Sequence, residues 1–310
     1  MTARAWVALV AVYIVWGSTY LAIRFAVETI PPFLTAGVRF LVAGSLLYIW
    51  QRLSGVPAPK KVEWRSASII GLLLLLGGNG LLNWAETRIP SGIASLFIAT
   101  VPLWMVVIDA FRPHGSRASA LVWLGVFVGF AGTALLANPW QAHSSGPASD
   151  LLGMGVLIFA AISWSVGSLY SRHAPLPKSP LLGTAMEMLA GSAGLFILSG
   201  VLGEWGQLHL ASVSMRSLGG LVYLVIFGSG IGFVAYTWLL RNAPTPIVST
   251  YAYVNPVVAI LLGSLIGRES FELLEVISAL IIITGVVLIT TARARVKKES
   301  SSLPATPVEE

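Results

Sequence analysis

Cysteine is absent from all 310 residues. Its absence excludes a disulfide framework, a thiolate metal site and a cysteine nucleophile, without identifying a redox compartment. Charge is scarce as well: 10% of residues are Asp, Glu, Lys or Arg, against 56% hydrophobic and a mean hydropathy of +0.82. Such a chain is too apolar for a soluble domain. The histidines, His114, His143, His173 and His209, all fall between apolar runs, so no imidazole is available inside them for a metal or haem. Every lysine (Lys60, Lys61, Lys178, Lys297 and Lys298) also lies outside the runs, and with them the buried basic cluster expected for a phosphate-bearing ligand. No Ser/His constellation or acid pair suggests a membrane hydrolase, and no cofactor is called for. The net charge of +6 is spread over short connections and forms no single patch, which argues against nucleic acid as a partner.

What remains is a series of apolar runs of about 20 residues, each long enough to cross a bilayer. They centre on 5–23, 32–51, 67–84, 91–111, 119–137, 151–170, 181–203, 217–240, 246–266 and 273–292, predicting an all-α integral membrane protein with ten transmembrane helices. The first run ends at Arg24, Glu28 and Pro31-Pro32 with no small-residue cleavage site, and reads as a retained helix. With the N-terminus in the cytoplasm, 14 of the 19 basic residues fall on the inner side, while the connection Asn138–Asp150 has none. That asymmetry predicts cytoplasmic N- and C-termini. A polar tail, 293–310, closes the chain, and beyond Lys298 it is expected to be disordered.

The sequence also repeats itself. Trp16, Arg24, Pro32 and Val42-Ala43-Gly44 return as Trp164, Arg172, Pro180 and Ala190-Gly191, shifted by about 148 residues. Later landmarks, Ser95 and Pro102 against Ser249 and Pro256, have a shift of about 154, so roughly six residues are inserted in or beside the eighth span. Five spans per copy, 1–140 and 151–292, force the second copy to enter the membrane inverted, an arrangement common in secondary transporters. Pro102 and Pro256 fall near mid-membrane and are expected to act as hinges, with a packing role as the alternative.

Polar residues within the spans are the candidates for chemistry. Trp16 and Trp164 lie near mid-depth, away from the interfaces that tryptophans usually prefer, and line a cavity or pack. Small polar residues follow each: Gly17-Ser18-Thr19-Tyr20 and Ser165-Val166-Gly167-Ser168. Asn79, within Gly77-Gly78-Asn79-Gly80, suggests a thin, locally unwound helix, and Gly228-Ser229-Gly230-Ile231-Gly232 is its counterpart, followed by Tyr236. Tyr251 and Tyr253 add two phenols with opposite facing. Arg39 and Glu187 occupy matching places in the second and seventh spans, either as an ion pair or as two separate sites. Glu86, near Arg88, reads as a solvated carboxylate. Gly125, Gly129 and Gly132 offer a face for close helix packing, within the molecule or in a dimer.

These segments together, Trp16-Gly17-Ser18-Thr19-Tyr20, Gly37-Val38-Arg39-Phe40, Gly78-Asn79-Gly80-Leu81, Pro90 through Ser95, Glu187-Met188-Leu189-Ala190 and Ser249 through Pro256, resemble the EamA group of the drug/metabolite transporter superfamily over roughly residues 5–292. The likeness is greatest to its YedA-like and YddG-like bacterial members, the YddG type exporting aromatic and other amino acids. The resemblance implies two inverted five-helix repeats, a bacterial inner-membrane location and a central cavity. The expected function is export of small amino-acid-like metabolites by a secondary transporter. The expected substrate-binding residues are Trp16, Tyr20, Arg39, Asn79, Trp164, Ser168, Glu187 and Tyr253. The partners are a small-molecule substrate and the lipid bilayer, with the chain a monomer or weak homodimer. Competing readings are a carrier of phosphorylated metabolites or nucleotide sugars, a passive channel and a membrane-embedded enzyme.

Overall fold

The computed structural model describes residues 2–112, 119–137, 150–243, 248 and 250–302. The connection 138–149, His114, His143 and the end of the tail, 303–310, lie outside them. The described residues contain no strand. Nine of their helices are long and apolar enough to cross a bilayer: α1 Ala3–Ala26, α2 Pro32–Leu53, α3 Lys61–Ala85, α4 Ser91–Ala110, α5 Ala120–Ala137, α6 Leu151–Ser171, α7 Pro180–Val201, α8 from Met215, and α10 from Leu273. A shorter apolar helix, α9 Tyr251–Leu265, makes ten. Helix starts follow local chemistry. Proline sits in the first turn of α2 and α7, where its missing N–H is no loss. Asp150 and Ser214 cap α6 and α8 by accepting from the N–H groups of Gly153 (2.9 Å) and Ser217 (3.0 Å).

At the C-terminus α10 runs on to Ser302, through a stretch from Arg293 that contains neither glycine nor proline.

The two copies are inverted in space. Gln51, at the end of α2, accepts at Oε1 from Ser179 Oγ (2.6 Å), just before α7. At the other end Glu204, just after α7, accepts from the N–H groups of Phe33 (3.2 Å) and Leu34 (2.9 Å) at the start of α2. The counterpart helices α2 and α7 are therefore antiparallel neighbours. Helices α5 and α10 repeat the arrangement: Gly125 abuts the Gly285 carbonyl and Ile289, while Gly132 abuts Ile281 and Ile282. The α5 glycines thus serve packing inside the molecule. Outward-facing residues such as Ile14, Leu46, Phe127, Ile197, Leu261 and Leu280 give the bundle an apolar exterior.

The inserted residues lie in the connection before α8. Residues 202–214 are six more than the matching 54–60, and they add a helical turn, Glu204–Gln207. This turn places the Glu204 carboxylate, 5% exposed, on the α2 N-terminus, with Ser199 Oγ donating at 2.9 Å. Glu204→Ala leaves those donors buried and is expected to destabilise the protein by about 2–3 kcal/mol. Thermal unfolding in detergent should show it, with Glu204→Gln intermediate.

The two prolines are used differently. In α4 the helix breaks at 99–100, and Pro102 falls in the first turn of the second half, Val101–Ala110. In α9 Pro256 lies inside a continuous helix. A proline in a first turn interrupts no hydrogen bond, so at Pro102 the break lies ahead of the ring, whereas Pro256, inside its helix, forfeits one backbone hydrogen bond without breaking the helix.

Candidate functional site

Helices α3 and α8 each widen into a π-helix at their centres, over Leu72–Gly80 and Leu224–Ile231. These are the two glycine-rich stretches. Removing side chains lets the backbone expand, and a π-turn displaces carbonyls from their usual donors. Helices from the opposite repeat reach in to each. Trp16 of α1 donates from Nε1 to the Gly228 carbonyl (3.3 Å), and its indole occupies the space a Cβ on Gly232 would need. Ser163 of α6 donates to the Leu73 carbonyl (2.7 Å), and the neighbouring Trp164 ring lies against Gly78, where a Cβ would come within 2.8 Å. The tryptophans therefore occupy corresponding places, each on the other repeat's π-segment.

Around Trp16 stands an aromatic cluster. Phe233 meets it edge-on with ring centroids 5.4 Å apart, Tyr236 is tilted at 4.9 Å and Tyr251 is edge-on at 5.2 Å. Tyr236 and Tyr251 are themselves 5.6 Å apart. All four are half-buried. Two of the contacts to Trp16 are edge-to-face and one is tilted, and together they hold the rings in place. Beside Trp16 at the α8 π-segment, the buried Arg39 donates from Nε to Ser229 Oγ (2.8 Å), its guanidinium 4.8 Å from the Phe40 ring. A cation and four aromatic rings thus converge on residues 228–236. Tyr13 and Thr250 share a short hydrogen bond on the N-terminal side of the cluster.

The remaining expected residues are dispersed. Arg39 bonds Ser229, and among the described residues no ion pair joins it to Glu187. Glu187 is half-buried on α7, its backbone carbonyl pressed against Gly71. Asn79 is half-buried on the α3 π-segment, and Ser168 is half-buried on α6 below Trp164. Tyr20 packs in the core with Ile23, Leu82, Phe97 and Leu224. Tyr253 packs against Leu103, Val126 and Val286 of α4, α5 and α10, while Tyr251 turns toward Trp16. Residues two apart on a helix face nearly opposite ways, and the sequence carries no phase marker to choose between these tyrosines. Phe233 and Ser229 went unselected too. Their signal was the glycine run itself, which leaves room for Trp16 of α1 and Arg39 of α2 against α8.

Glu86 is the clearest correction. It is 0% exposed, and its backbone carbonyl accepts from the Arg24 guanidinium. Arg88, expected beside it, instead pairs with Asp150 at 2.8 Å. The last turn of α3 rotates Glu86 inward and leaves Arg88 beyond the helix end. At the same end Glu269 accepts from the Ser91 N–H (2.9 Å), Ser91 Oγ (2.8 Å) and Gly92 N–H (3.1 Å), capping α4, while Arg216 pairs with Glu28 at 3.2 Å. The end opposite the N-terminus is thus tied by capping carboxylates and ion pairs.

The EamA-like transporter family model matches residues 4–138 and 151–291, one match to each copy. The chain belongs to this family. It is a membrane transporter, with two repeats of five helices. It is 39% identical to the inner membrane transporter YedA of Escherichia coli strain K12, over 92% of this chain and 90% of that one. A transporter of Archaeoglobus fulgidus is 26% identical over 94% of this chain and 100% of its own length. A WAT1-related chloroplastic protein of Arabidopsis thaliana is 25% identical over 92% and 69%. A crystal structure 21% identical in sequence shares the fold at a TM-score of 0.61, covering 94% of this EamA protein and 98% of that chain.

Proposed function

We propose that the protein exports neutral and aromatic amino acids, or small metabolites like them, across the bacterial inner membrane by alternating access, with both termini in the cytoplasm. The observation that carries this reading is the half-buried cluster of Trp16, Phe233, Tyr236 and Tyr251 beside Arg39 and Ser229. The rings suit apolar and aromatic side chains by stacking, and Arg39 suits a carboxylate. Trp164 and Ser168 on α6, Glu187 on α7 and Asn79 on α3, the counterparts of α1, α2 and α8, would contribute a further part of the binding surface. The inner-membrane location takes support from YedA. The break at 99–100 ahead of Pro102 offers a joint about which the halves of α4 rock, and Pro256 a weaker one.

Counterflow in liposomes tests the proposal. Purified protein should exchange labelled amino acids saturably, and a nucleotide sugar or organic cation poorly. Exchange of either of those solutes with no amino-acid exchange would overturn the substrate assignment. Flux that neither saturates nor shows counterflow would favour a channel.

A further inference from the structure

The last turn of α3 presents three acceptor oxygens to which the protein supplies no donor. Neither carboxylate oxygen of the fully buried Glu86 accepts a hydrogen bond, and nor does Oδ1 of Asn83, three residues earlier. Asn83 is itself fixed, donating from Nδ2 to the Pro32 carbonyl at 3.3 Å. A spacing of three puts the two side chains on one face of the helix, within reach of each other.

Arg24 and Tyr20 of α1, Arg39 of α2 and Glu269 of the connection after α9 interact electrostatically with Glu86. Among the described residues none closes an ion pair with it. Arg24 directs Nη1 to the Glu86 backbone carbonyl, Arg39 directs Nε to Ser229, and Glu269 is engaged in capping α4. Burying a carboxylate without donors is unfavourable unless something supplies a positive charge or a hydrogen. A proton does both, and the resulting O–H can donate to a neighbouring acceptor such as Asn83 Oδ1. A metal ion would need several further oxygen ligands, and the described residues assemble no acidic or imidazole cluster of that kind.

We infer that Glu86 is a proton-binding site, loaded while Glu269 and Arg24 tie this end of the bundle and emptied when that end opens, so that solute movement is coupled to protons. The coupling rests on the transport reading above; the proton site does not.

Two measurements on the full chain separate these. Infrared titration of the purified protein should reveal a protonated carboxyl band in the wild type that Glu86→Gln lacks. Identical spectra would overturn the proton site. In liposomes, a pH gradient should drive the wild type to concentrate a solute it exchanges, whereas Glu86→Gln should fail to concentrate it and lose the pH dependence of exchange. Glu86→Asp keeps a titratable group and should retain accumulation with a shifted pH profile, which guards against a folding defect in the glutamine variant. Undiminished gradient-driven accumulation by Glu86→Gln, or accumulation driven only by a sodium gradient, would overturn the inference. A wild type that exchanges no solute would sink the transport reading instead, leaving the infrared result to decide the proton site.

Discussion

Trp16→Ala is expected to lower kcat/KM for amino-acid exchange roughly 30- to 100-fold, the equivalent of about 2–3 kcal/mol. The substitution removes a hydrogen bond to the Gly228 carbonyl and three aromatic contacts. A hydrogen bond of this kind contributes about 1 kcal/mol and each aromatic pair about 0.5–1.5 kcal/mol. Part of that supports the protein's own stability, so the transport loss stays below the sum. Trp16→Phe keeps a ring but no N–H, and should cost only about fivefold. Trp164→Ala, its counterpart against Gly78, should also impair exchange. Counterflow kinetics on reconstituted variants decide the matter. Unchanged kinetics in both alanine variants would mean that the tryptophans only pack, and the proposed site would have to be abandoned.

Gly285→Val should cost about 3 kcal/mol or more and sharply reduce the yield of folded protein. A Cβ at Gly285 would lie 2.6 Å from the Gly129 nitrogen and 2.7 Å from the Gly125 carbonyl oxygen. Both are backbone atoms, so no rotamer change relieves the contact and α5 and α10 must separate. Small residues allow close approach in a bilayer, where packing and not water expulsion drives association. Gly155→Ala is the control, because a Cβ there meets nothing within 4 Å. It should leave stability unchanged or raise it by about 0.5–1 kcal/mol through helix propensity. Thermal unfolding in detergent compares the two. An unaffected Gly285→Val protein would show that the α5–α10 crossing is looser than the backbone contacts imply.

Many features of the molecule are local enough to be legible in the chain. Hydropathy places the spans, because each must satisfy its backbone internally and present apolar side chains to lipid. The echo of Trp16 and Pro32 at Trp164 and Pro180 reveals the duplication, and an odd number of spans makes it inverted. Glycine runs around Asn79 and Ser229 mark where the helices widen, since glycine alone leaves room there for an indole or a guanidinium. These features are set by composition along one helix.

Other features depended on rotation about helix axes and on partners far away in the chain. Tyr251 rather than Tyr253 faces Trp16 because of how α9 is turned against α1, where Gly17 meets Asn255 and Val258. Arg39 finds Ser229, 190 residues away, and not Glu187. Glu86 is buried with its backbone carbonyl held by Arg24, while its near neighbour Arg88 goes to Asp150. Periodicity in a uniformly apolar helix gives almost no phase, because lipid and core are both apolar and no polar face distinguishes outside from inside. The sequence by itself therefore determined the number, order and inversion of the helices. Only the tertiary structure decided which polar side chains share a site, because that choice is made by contacts between the two repeats.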